Sequence, residues 1–92
     1  MTEGTNRSTS ELDLEEVLLR AARAACARGP GFAQEGVVLH DVVDELGYGG
    51  DLESQQDLLT AWHNLFHQGR LSWGYDVDNP GPPFFHIPRN RR

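Results

Sequence analysis

The apolar residues of this 92-residue chain keep one spacing up to Gly69 and another after it. Before that glycine they recur three and four residues apart, the repeat of a helix face. After it they alternate, the repeat of a strand. Helices therefore come first and a hairpin last, and the class expected is α+β.

Residues 1–9 are polar and charged with no apolar period, and are expected to form a disordered tail. Ser10 reads as an N-cap, followed by Glu11, Asp13, Glu15 and Glu16, whose carboxylates suit the positive end of a helix dipole. Leu14, Val17, Leu18, Ala21, Ala22 and Ala25 then form one helical stripe, which Gly29-Pro30-Gly31 ends. Phe32 to Glu35 reads as a loop and Gly36-Val37-Val38-Leu39 as a short strand. His40 to Leu46 gives a two-turn helix stopped by Gly47. After Tyr48-Gly49-Gly50, Asp51 caps a third helix with the stripe Leu58, Leu59, Trp62, Leu65 and Phe66, and Gly69 suits the C′ position.

In the alternating region, Leu71, Trp73 and Tyr75 are expected on one face. Asn79-Pro80-Gly81-Pro82 reads as a type II turn. Phe84 to Ile87 is the returning strand, and Pro82, Pro83 and Pro88 would confine it to a sheet edge. Strand alternation puts Phe85 and Ile87 inward, leaving Phe84 and His86 toward solvent. Asn90-Arg91-Arg92 is expected to fray.

Composition narrows the function classes. One cysteine forms no internal disulfide and fits a reducing compartment, so a cytoplasmic location is expected. No apolar run approaches the ~20 residues of a membrane helix, and the polar N-terminus is not a signal peptide. Eight Arg and no Lys stand against fourteen carboxylates, for a net charge of −6.

The order helix, short strand, helix, tight turn, helix, hairpin resembles the winged helix-turn-helix family over roughly residues 11–89. The resemblance implies three helices with a small antiparallel β-hairpin wing. A winged-helix domain would span residues 10–89, between the tail at 1–9 and the frayed end at 90–92. Asp51 to Gln68 would be the recognition helix, which in that family commonly enters the DNA major groove, and Arg70 to Pro88 the wing. Many members use the same surfaces for protein contacts instead.

The charges favour protein contacts. From Gly36 to Gln68 there are six carboxylates (Asp41, Asp44, Glu45, Asp51, Glu53, Asp57) and no Lys or Arg. Duplex affinity rests on cations that displace counterions from phosphates. The leading expectation is thus a non-enzymatic regulatory or adaptor module that docks a protein partner through its acidic helices and aromatic wing. Asp57, Trp73, Tyr75, Phe84 and His86 are its contact residues. The alternative is a DNA-binding transcriptional regulator, dimeric, using Gln56, Thr60, His63 and Asn64 on bases and Arg70 and Arg89 on phosphates. No catalytic set is apparent. His63 and His67 have the i, i+4 spacing of some zinc sites, but no third ligand follows at a recognisable spacing, so no metal or cofactor is expected. His40 reads as a helix-start residue and Cys26 as a small buried thiol.

Overall fold

The computed structural model describes residues 13–89, which form three helices and a small three-stranded antiparallel sheet. The expected tail at 1–9, the Ser10 cap and the fraying at 90–92 lie outside the described residues. Helix α1 is Leu14–Arg28, and its cap is Asp13, whose carboxylate accepts from the backbone N–H groups of Glu15 and Glu16. It stops at Gly29, and Gly31, at φ 101°, donates back to the Cys26 carbonyl.

The next segment departs from the sequence reading. Strand β1 is Phe32–Gln34, where a loop was expected. Helix α2, Glu35–Leu46, takes in the whole of Gly36–Leu39, where a strand was expected. The reason is burial. Val38 and Val42 are one helical turn apart and both fully buried, so the apolar run serves a helix face. A run of three apolar residues, Val37-Val38-Leu39, does not distinguish the two structures by periodicity alone. Gly47, at φ 73°, ends α2 as expected.

Helix α3, Leu52–His67, is capped by Asp51, whose side chain accepts from the Ser54 N–H. Gln55 Nε2 donates to the carbonyls of Tyr48 and Gly49 and so ties α3 to the turn before it. Leu58, Trp62 and Leu65 face the core as expected, whereas Leu59 points outward and Ala61 packs inward. Gly69, at φ 76°, reverses the chain after the helix.

Strands β2, Ser72–Trp73, and β3, Phe84–His86, do pair, with Trp73 opposite Phe85. Yet the sheet order is β1-β3-β2, so the returning strand is central and the sheet is more than a hairpin. Prolines flank β3 at 83 and 88 without interrupting Phe84–His86, which leaves its three N–H groups free for pairing. The hydrogen-bonded turn is Asp76–Asn79, where the Asp76 carboxylate accepts from the Asp78 and Asn79 N–H groups. The type II turn at 79–82 is not formed. Pro82 has no N–H to close it, and Gly81 lacks the positive φ such a turn requires.

The core lies between the helices and the inner sheet face. Trp62 and Phe85 are its largest members, both fully buried, with ring centroids 5.2 Å apart and planes at 90°. Trp62 Nε1 donates to Glu35 Oε1 at 2.9 Å, which gives the indole its one obligatory partner.

Candidate functional site

Alternation along β3 puts Phe85 into the core and turns Phe84 and His86 to the opposite, outer face. The register places Phe32 of β1 opposite His86 and so on that same outer face. Tyr75 joins them. Its ring stacks on Phe32 at 3.8 Å with planes 6° apart, and Phe84 meets both rings edge-on. His86 Nδ1 donates to the Gly74 carbonyl at 2.7 Å, which fixes the imidazole beside the cluster. Tyr75, Phe84 and His86 are therefore brought together as the sequence suggested, and each is half-buried.

Trp73 and Asp57 do not belong to this cluster. Trp73 pairs with Phe85 and turns to the inner side, stacked on Phe66 at 4.0 Å. Trp73 and Tyr75 were expected on one face. Gly74 between them has φ 85°, which breaks the pleat and sends the two rings to opposite sides. Asp57 stays exposed on α3. Phe32, a central member of the cluster, was read as a loop residue, and the only signal for it was its place three residues after a helix stop.

Beside the rings lies a groove of about 420 Å³ lined by Phe32, Tyr75, His86 and Arg89 together with the Pro30-Gly31 bend and Ile87. No carboxylate lines it.

Family models, curated proteins and solved structures offer no match to the chain.

The residues of the DNA-binding alternative are partly engaged elsewhere. Asn64 Nδ2 donates to Glu15 Oε2 at 3.3 Å, and Gln68 Nε2 donates to Glu15 Oε1 at 3.0 Å. Arg70 pairs with Glu16 at 3.0 Å. Thr60 donates its hydroxyl to the Gln56 carbonyl one turn back. Gln56, His63 and Arg89 remain exposed. All six carboxylates between Gly36 and Gln68 are exposed as well.

His63 and His67 border a shallow depression of about 260 Å³ with Phe66 and Trp73. No group of three or more metal-ligating side chains occurs among the described residues. Burial pushes the Cys26 thiol up, which disfavours the reactive thiolate. Hydrogen bonds from the Ser54 side chain and backbone hold the Asp51 carboxyl below its usual range. Among the described residues, no helix is long and apolar enough to cross a membrane.

Proposed function

We propose that this chain is a non-enzymatic interaction module of winged helix-turn-helix type that docks a protein partner. The element order α1-β1-α2-α3-β2-β3 supports the winged-helix reading. In it the Gly47–Gly50 bend is the turn between α2 and α3, and the wing is the β2–β3 pair with its Asp76–Asn79 turn. The docking elements are the outward aromatic face of the sheet and the carboxylate-bearing surfaces of α2 and α3. A cytoplasmic regulatory or adaptor subunit fits these features.

One observation carries the choice of protein over DNA. The side chains best suited to a duplex on and after α3, Asn64 and Arg70, are held by Glu15 and Glu16 of α1. A helix that read a groove through Asn64, with Arg70 on a phosphate, would have to break these contacts and bring Glu53 and Asp57 toward phosphates. The Debye length of about 8 Å at physiological salt leaves repulsion at such range largely unscreened.

The second reading, a DNA-binding regulator, is favoured by the free exposure of Gln56 and His63 on α3 and of Arg89 beyond the sheet. Fluorescence anisotropy with a duplex library over a salt series separates the two. The module reading expects duplex affinity no tighter than the non-specific range of about 10⁻⁴–10⁻⁶ M. A selected duplex bound near 10⁻⁸ M, with loss on His63→Ala, establishes the DNA reading instead.

A further inference from the structure

Packing of α3 leaves one apolar flank uncovered. The helix turns Leu58, Ala61, Trp62 and Leu65 to the core, and Asn64 and Gln68 bond to Glu15 of α1. Leu52, Gln56, Leu59, His63 and Phe66 follow one another at steps of four, three, four and three residues, which keeps them on one stripe. Of the four large apolar side chains left exposed among the described residues, two lie on this stripe, Leu52 at 69 % and Leu59 at 40 %. The other two, Val37 and Val77, belong to α2 and to the hairpin turn. A single exposed leucine is ordinary on a protein surface. What sets this stripe apart is the arrangement of its two ends.

At the N-terminal end stands Leu52, the most exposed apolar side chain of the helix. At the C-terminal end His63, Phe66, His67 and Trp73 border the depression of about 260 Å³, beside the Phe66–Trp73 stack. Leu59 is midway, seven residues after Leu52 and seven before Phe66. Charge is divided in the same way. Asp51, Glu53 and Asp57 all precede Leu59, and the only titratable side chains after it on the helix are His63 and His67. Within one chain the two ends stay ~21 Å apart, the length of 14 helical residues. A two-fold axis near Leu59 brings them together between two copies.

We propose that two copies of this chain associate through antiparallel α3 helices, with Leu59 near the two-fold axis and Leu52 of each copy in the depression between His63 and Trp73 of the other. Each contact then occurs twice, as a closed two-fold interface requires. The acidic half of one helix faces the histidine half of the other, and the helix dipoles oppose. A parallel pair would instead set carboxylates beside carboxylates and align the dipoles. A second copy is the occupant because the projection and the depression that receives it lie on the same helix, equally far from its middle. The pairing covers Gln56 and His63, so a paired α3 is closed to a DNA groove. A contact along about four helical turns is small, below the roughly 1,200 Å² of stable interfaces, so the association is weak. The inference goes beyond the protein-contact reading, which leaves this flank of α3 unassigned.

Sedimentation equilibrium of the full chain, from micromolar to about 1 mM, should show monomer and dimer and no larger species. Leu52→Gln and Leu59→Gln, both at exposed positions, should each raise the dissociation constant at least tenfold and leave the far-ultraviolet circular dichroism of the monomer unchanged. Mild oxidation reads the arrangement, with the buried Cys26 left in place. Leu59→Cys should cross-link to its own copy. Leu52→Cys should not, because its two copies lie ~21 Å apart, too far for a disulfide. A chain still monomeric at about 1 mM overturns the pairing and leaves the protein-contact reading of the sheet face standing. Dimers that tolerate both glutamine variants overturn α3 as the interface. Cross-linking of Leu52→Cys without that of Leu59→Cys overturns the antiparallel arrangement.

Discussion

Trp62 links α3 to the sheet and to the start of α2. Its ring meets Phe66 and Phe85 edge-on, and its N–H reaches Glu35 at the start of α2. The backbone of Glu35 donates in turn to the Pro83 carbonyl just before β3. Trp62→Ala should cost roughly 3–5 kcal/mol by urea denaturation, as large aromatic truncations in cores do. Asp51 makes a prediction in pH. Its carboxyl is held low by Ser54 in the folded chain, so its contribution is complete above the ordinary Asp range. That contribution fades as the pH falls through the lower folded-state value. Melting temperatures followed from neutral to acid pH should therefore fall less steeply for Asp51→Asn than for the parent chain, because the variant has no such contribution to lose.

At the scale of elements, Gly74 holds the sheet's two faces apart. A Cβ there would lie 2.6 Å from Pro80 Cα and 2.6 Å from its carbonyl oxygen. The backbone is also at φ 85°, a conformation that costs a non-glycine residue about 1–3 kcal/mol even without a clash. Gly74→Ala should lower stability by at least that amount and release the Tyr75–Phe32 stack, which near-ultraviolet circular dichroism would register. The C-terminal ends of the helices and the start of α3 were legible beforehand because Gly29, Gly47, Gly69 and the Asp51 cap act locally, within a few residues of chain. The start of α2 was not: it lies at Glu35, and His40, expected to begin the helix, is in its interior. Strand β1 was not legible. It has three residues, too few for alternation to emerge, and its partners lie 50 to 54 positions away, as in Gln34–Phe84 and Phe32–His86. The outward positions of Phe84 and His86 followed from strand alternation alone. The position of Trp73 did not, because the reversal at Gly74 depends on a close approach to Pro80 that the order of residues does not announce.

Across the whole molecule the charges are sorted. Carboxylates cover the exposed sides of α2 and α3, and Glu15 and Glu16 of α1 occupy the polar side chains at the end of α3 and just beyond it. Exposed pairs of this kind contribute little to stability, about 0–1 kcal/mol each. Their larger effect is on which partners can approach. The double substitution Glu15→Ala with Glu16→Ala changes the net charge from −6 to −4, since −6 + 2 = −4. It also frees Asn64, Gln68 and Arg70. The variant should stay folded and gain duplex affinity at low salt with a steeper salt dependence, measured by the same anisotropy series.

The central position of β3 also bears on how the chain is made. Both neighbours of this strand precede it, so during synthesis β1 stays without a partner until residues 84–86 have emerged. Phe85, which closes the core against Trp62, arrives in the same step. At translation rates of about 5–20 residues per second, the helices have seconds in which to form while the sheet cannot. A chain that ends before Phe84 leaves β1 and β2 without a partner and the Trp62 side of the core open. Completion of this one strand thus pairs both of its neighbours and closes the core in a single step.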